Sequence, residues 1–320
     1  MIGGDGFSDR LLKGIIGVVL FTPDPVYIET RVWPEQRKTA ENIYKFFSQH
    51  IEKMSARNVV AFVSDTEPTM KAVWDRLHEK YPWLLIIPCA AHCFDLLFKD
   101  IIRHPALAAA VTFCKTLSQF WRNKSMPKSI LERIQVQEYG TTRQMQRTGV
   151  TRWKSQLLVS DALLRTQTAM QKAVVDDVFK NEVLKDKDAK ARKAAAEASA
   201  LVKNDALWSQ LQLLADLLRP VATALDKGQA DGSGMGSMFG SFLTLEKHLT
   251  SFKYPETPVG AQLKHLCLFK LQYWRSYLLR PAHVLAYLLD PRYLGAPNQQ
   301  TQDEIESAMV LMHKLASSED

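Results

Sequence analysis

The sequence predicts an α/β fold: a mixed sheet with flanking helices, interrupted or followed by a large all-helical region. Three observations carry this. Short apolar, β-branched runs alternate with helical stripes over the first hundred residues. From about residue 105 the periodicity is helical and stays so. An apolar fraction of 46% in 320 residues supplies core for one large domain or two ordinary ones.

LLKGIIGVVLF (11–21) is apolar and β-branched and reads as a buried strand, and the segment ahead of it as a short first strand. TPDP (22–25) is a turn signal, and VYIETRVW (26–33) alternates like a hairpin partner. KTAENIYKFFSQHIEKM (38–54) places Ala40, Ile43, Phe47, Ile51 and Met54 on one helical stripe, with Thr39 as N-cap. NVVAFVSD (58–65) is a strand ending on an acid, TEPTMKAVWDRLHEKY a helix, WLLIIPC (83–89) a strand, and AAHC opens another helix. The resulting order is strand, strand, strand, helix, strand, helix, strand, helix. ALAAAVTFCKTLSQFW is a further helix, residues 151–176 hold one or two, and the charged, Ala-rich 185–203 reads as a solvated helix. ADGSGMGSMFG (230–240) is the Gly/Ser-rich stretch expected to form a loop or hinge, and Pro291 stops a late helix. The expected organisation is a core over 1–104, a mainly helical region over 105–290, and a return toward the core over 291–320.

Several classes are disfavoured. No run of 18 apolar residues exists, and no basic n-region precedes an apolar segment, so neither a membrane span nor a secretory signal is expected. Four cysteines do not make a disulfide framework. The net charge of +7 is concentrated: residues 121–154 carry Arg122, Lys124, Lys128, Arg133, Arg143, Arg147, Arg152 and Lys154 against Glu132 and Glu138. Such a tract suits a polyanion, or it is a solvated helical surface.

Two acids stand at strand ends, Asp5 in DGFSD and Asp65 in NVVAFVSD. On neighbouring strands their carboxylates would repel, and a divalent cation would relieve that repulsion. The alternatives are a turn residue for Asp5 and a helix cap for Asp65. In PCAAHCFDLLFKD (88–100), Cys89 and His92 share a face of a helix start. His92, Asp95 and Lys99 form a polar stripe opposite Phe94, Leu97, Phe98 and Ile101. Cys89, His92 and Cys93 are three ligands at an unusual spacing where zinc needs four, so no zinc is expected. A Cys–His nucleophilic pair and a structural helix cap are the other readings of this corner.

The stretch FVSDTEPTMKAVWDRLHEKYPWLLIIPCAAHCFDLLFKDI resembles the central block of hAT-superfamily transposases, and more narrowly the transposase-like domain of unknown function found beside BED zinc fingers. DGFSD (5–9), KTAENIY (38–44), TRWKSQ (151–156) and LLDPRYLG (288–295) are similar to further family motifs in the same order. The resemblance implies a ribonuclease H-like catalytic fold interrupted by a helical insertion. It implies metal-dependent DNA strand cleavage and transfer by two aspartates and a glutamate, with Mg2+ or Mn2+ as cofactor. Asp5 and Asp65 match the aspartates and the metal site. Cys89 and His92 match the CxxH pair beside the active site. Trp153 matches a tryptophan that stacks on a base turned out of the DNA, the alternative being a core aromatic. Arg143, Arg147, Arg152 and Lys154 surround it as candidate DNA contacts. DNA, as transposon ends or derived sites, is the implied partner and the nucleus the implied location.

Three departures bear on activity. Thr66-Glu67-Pro68-Thr69 follows the second aspartate where the family carries Asn. The block holding the glutamate is not found, and Glu304, Glu306 and Glu319 do not sit in its pattern. The BED finger and the C-terminal dimerisation segment are not found either, so weak self-association at most is expected. The expectation is a truncated transposase-derived protein, catalytically incomplete alone, or a domesticated DNA- or protein-binding module.

Overall fold

A computed structural model of the chain describes residues 1–8, 14–22, 24–33, 38–146, 154–230, 233–294 and 300–316, the side chains of 5–8, 22, 24, 33 and 316 excepted. The chain divides into two compact units: Met1–Phe94 with Ala224–Leu243 and Gln272–Asp320, and Asp95–Thr223 with Thr244–Leu271. Among the described residues no helix is long and apolar enough to cross a membrane.

The first unit carries the sheet. Its strands are β1 (Ile2–Ser8), β2 (Gly14–Thr22), β3 (Asp24–Trp33), β4 (Ala61–Ser64) and β5 (Leu85–Pro88). They lie in the order β3-β2-β1-β4-β5. β1, β2 and β3 form an antiparallel meander, with a bulge in β3 at Ile28, which is skipped where β2 steps from Val18 to Val19. β4 and β5 add parallel strands on the other side of β1. The α/β expectation holds, and the mixed five-stranded sheet is consistent with a ribonuclease H-like core.

Helix α1 (Ala40–Lys53) starts where expected: the Thr39 hydroxyl accepts the Asn42 N–H at 3.3 Å. It and α2 (Pro68–Lys80) bury Ile43, Phe46, Phe47, Ile51, Val73 and Leu77 with Ile2, Ile16, Val18 and Phe62 of the sheet. The close seat of α1 on β1 depends on a missing side chain. A Cβ at Gly4 would lie 2.8 Å from Phe47 Cε1, so the Phe47 ring fills the place a larger residue would take. That ring meets Phe62 edge-on at 4.9 Å. Truncating so buried a phenylalanine costs about 3–5 kcal/mol.

Helix α3 (Ala90–Ile102) follows β5 directly. Further helices are α4 (Ala108–Asn123), α5 (Ser125–Tyr139), α6 (Ser155–Ala173), α7 (Ala189–Val202), α8 (Asp205–Gln229), α9 (Met235–Ser251), α10 (Pro258–Leu278), α11 (Pro281–Leu289) and α12 (Gln302–Ala316). In the second unit, Phe113 packs edge-on against Trp208 at 4.9 Å, and the Trp208 indole N–H donates to the Val202 carbonyl. α7 is less solvated than its charge suggests, since Ala195, Ala198, Ser199 and Val202 form a buried stripe. In the first unit, Phe239, Leu243, Val284, Tyr287 and Ala308 make a small core between α9, α11 and α12.

The loop expected over 230–240 is corrected: from Met235 onward the stretch is helical. Its glycines serve packing. A Cβ at Gly236 would lie 2.9 Å from the Ala286 carbonyl oxygen and 3.0 Å from Tyr287 Cα, so Gly236 lets α9 and α11 approach at their backbones.

Candidate functional site

β1 and β4 are register neighbours, with Gly3 opposite Val63 and Gly4 opposite Ser64. Asp5 and Asp65 each come one residue later on these parallel strands, which run about 4.8 Å apart. Asp5 is still within β1, opposite Gly17 of β2, and its side chain lies outside the described residues. β4 ends at Ser64, so Asp65 begins the departing turn.

That turn is built locally. Asp65 Oδ1 accepts the Glu67 N–H at 3.1 Å, an Asx-type turn. Asp65 therefore does not cap α2: Glu67 holds the N-cap position without a side-chain bond, and Pro68 occupies the first turn, where a missing N–H costs nothing. The Trp74 indole N–H donates to the Ser64 hydroxyl at 2.8 Å inside the protein, and that hydroxyl donates to the Asp65 carbonyl at 3.2 Å. The Cys89 N–H donates to the Ser64 carbonyl at 2.7 Å. One residue thus ties α2, β4 and the start of α3 together immediately before Asp65.

Cys89 is half-buried and not part of a disulfide, and His92 is half-buried one turn on. Cys93 is fully buried, and burial pushes its thiol far above the ordinary cysteine range, so it is an inert core residue. The stripe expected through Asp95 is not open to solvent. Asp95 is buried and takes the Lys99 ammonium at 2.6 Å. Phe94, Leu97, Phe98 and Ile101 are buried as read from the sequence.

Cys89 and Ala90 border a cavity of about 580 Å³, whose other walls include Phe21, Val63, Met238 and His283. His283 is 1% exposed, and its Nδ1 accepts the Arg280 N–H at 3.1 Å. Burial, aided by the Arg280 charge, lowers its pKa to about 4, so the imidazole is neutral with its proton on Nε2. Sequence reasoning singled out neither Ser64, Trp74 nor His283. The available signal was Ser64 directly before Asp65, and a Trp that must find an acceptor once buried.

The basic tract divides. Arg147, Arg152 and Trp153 lie outside the described residues. Lys154 directly precedes α6 in a left-handed conformation (φ 52°). Arg143 stacks over Tyr139 at 3.9 Å and donates to the Arg165 carbonyl at 2.6 Å. Arg133 pairs with Asp176 at 2.8 Å, and Lys128 approaches Glu132 at 3.7 Å. Much of the tract's charge therefore has partners within the helical unit. Among the described residues, no three of His, Cys, Asp and Glu cluster so as to hold a metal ion.

Residues 2–117 match the family model described as "Domain of unknown function (DUF659)". The matched span contains both aspartates, Cys89 and His92, and all five strands of the sheet. No curated protein matches the chain.

Proposed function

We propose that this chain is a nuclear, DNA-binding protein of the hAT transposase lineage, in which Asp5 and Asp65 hold a divalent cation of the Mg2+ or Mn2+ class. The observation that supports this is the register of β1 and β4, which sets Gly4 opposite Ser64, the residues directly before Asp5 and Asp65. The donor chemistry fits: carboxylate oxygens suit hard cations. A cation there supplies Lewis-acid stabilisation of charge on a phosphodiester. Ser64, Trp74 and the Cys89 N–H act as positioning groups for Asp65. Cys89 and His92 flank the site, Trp153 offers a stacking surface for an unpaired base, and Arg152, Lys154, Arg147 and Arg143 contribute positive potential. Without an assigned third acid, cation and DNA binding are proposed for this chain and strand transfer is not.

The test has two readouts. Mn2+ binding, followed by the loss of the free-ion paramagnetic resonance signal, is expected for the unaltered chain and is expected to be lost in Asp5→Asn and Asp65→Asn. Duplex DNA binding, followed by fluorescence anisotropy, is expected to weaken steeply as salt rises. Equal Mn2+ uptake by the chain and both variants would overturn the cation site. The internal pairing of Arg133, Lys128 and Arg143 favours a second reading, a protein-binding module, and absence of DNA affinity at low salt would select it.

A further inference from the structure

The glycines of β1 face opposite sides of the sheet. The Phe47 ring fills the space over Gly4 on the α1 side, and Ile2 joins the same core, so Gly3 belongs to the other side. On that side the register aligns Val19, Gly3, Val63 and Ile87 in one row across β2, β1, β4 and β5. Gly3 contributes no side chain, and the Phe21 ring leans over it: a Cβ there would come 2.9 Å from Phe21 Cε2. Val19, Phe21 and Val63 are only half-buried, although β2 and β4 are inner strands. They form the floor of the cavity of about 580 Å³ that Cys89 borders, with Met235, Met238 and His283 of α9 and α11 among its other walls.

The chemistry of the walls selects the occupant. Among the described residues no Asp, Glu, Lys or Arg lines the cavity, so a net charge on an occupant would be desolvated without a partner. Met1 also stands at the wall, and its amino group donates to the Phe21 carbonyl at 3.1 Å. The apolar floor and the thioethers of Met235 and Met238 suit an aromatic ring. One deeply buried polar group is left over. His283 is 1% exposed, and its Nδ1 is taken by the Arg280 N–H, so the proton is on Nε2. Among the described residues the Nε2–H has no acceptor. A donor buried this deeply in a cavity wall calls for one.

We propose that this cavity binds a small, uncharged, mainly aromatic molecule carrying one hydrogen-bond acceptor, such as a carbonyl oxygen, which receives the His283 Nε2–H. The volume lies within the range of small-molecule sites, and an apolar wall with a single convergent donor is how such sites fix the orientation of a ligand. The inference is independent of the DNA and cation reading.

Fluorescence titration of the full chain with prodan tests it. Prodan is a neutral naphthalene bearing a propionyl carbonyl, and its emission moves to the blue in apolar surroundings. Saturable one-to-one binding with a blue shift is expected. His283→Asn keeps an acceptor for the Arg280 N–H and removes the imidazole N–H, so it should weaken prodan binding by about tenfold. It should leave unchanged the binding of the same dimethylaminonaphthalene without the propionyl group. A variant that had lost its fold would lose both probes, so the contrast separates a missing donor from a damaged cavity. Val63→Phe adds volume at the half-buried floor and should weaken both probes by about tenfold while thermal unfolding stays cooperative. No saturable binding, an equal effect of His283→Asn on the two probes, or undiminished binding in Val63→Phe would each overturn the proposal.

Discussion

Ser64 shows how much one small residue determines. Its backbone carbonyl receives the Cys89 N–H, its hydroxyl receives the Trp74 indole, and its position ends β4 one residue before Asp65. Ser64 and Trp74 are both buried, so their hydrogen bond has no water to replace it. Ser64→Ala leaves the indole N–H without its acceptor and should lower stability by about 1–3 kcal/mol. Urea denaturation reads this out. The Ser64→Ala/Trp74→Phe pair should cost less than the sum of the single changes, because Phe brings no stranded donor. Strict additivity would mean the bond is not coupled. DGFSD and NVVAFVSD marked both aspartates in the sequence, but the groups that orient Asp65 were not legible. A serine and a tryptophan ten residues apart, on a strand and a helix, carry no shared pattern.

At the scale of elements, periodicity was a good guide where one face is buried and a poor one where glycine is involved. The stripe in α1 and its Thr39 cap are both present. MGSMFG reads as a loop because glycine is a weak helix former, yet it opens α9. The tertiary gain is close backbone packing against α11, which a residue-by-residue propensity does not contain. This reverses the usual sign of a substitution. Glycine to alanine inside a helix normally stabilises by about 0.5–1 kcal/mol. Gly236→Ala should instead destabilise by about 1–3 kcal/mol, since the atoms its Cβ would meet are backbone and must shift. Gly234→Ala, with nothing within 4 Å of its Cβ, is the control and should be near neutral. Thermal unfolding of the two variants side by side checks the contrast, and equal melting temperatures would refute the packing argument.

Across the whole molecule, buried histidines set a pH dependence. Burial lowers His50, with Glu29 opposing, lowers His248, with Asp216 opposing, and lowers His283 to about 4. Each is more readily protonated in the unfolded chain, whose histidines titrate near 6.5. Acid therefore pulls toward unfolding: stability should fall as pH drops below about 6.5 and, for His283, level off below about 4. The His283 share is at most ~3 kcal/mol. His283→Asn keeps an acceptor for the Arg280 N–H while removing the titration, so it should flatten the decline between these limits. An unchanged pH profile in that variant would exclude His283 as its source. Carboxylates held low by their partners, such as Asp176 beside Arg133, add their own loss at more acidic pH.

Asp5, expected at a strand end, lies inside β1, while the sequence by itself determined the element order through α3, the strand end before Asp65 and the α/β class. Those follow from local periodicity and turn chemistry, which neighbouring residues encode. Only the tertiary structure decided that β1 and β4 are adjacent and parallel, with Gly4 opposite Ser64. It also decided that residues 224–243 and 272–320 belong with the sheet, and that Arg133 and Arg143 are partnered within the helical unit. Register, grouping and ion pairing depend on residues far apart in the chain, and the energy that selects them exists only once those residues meet.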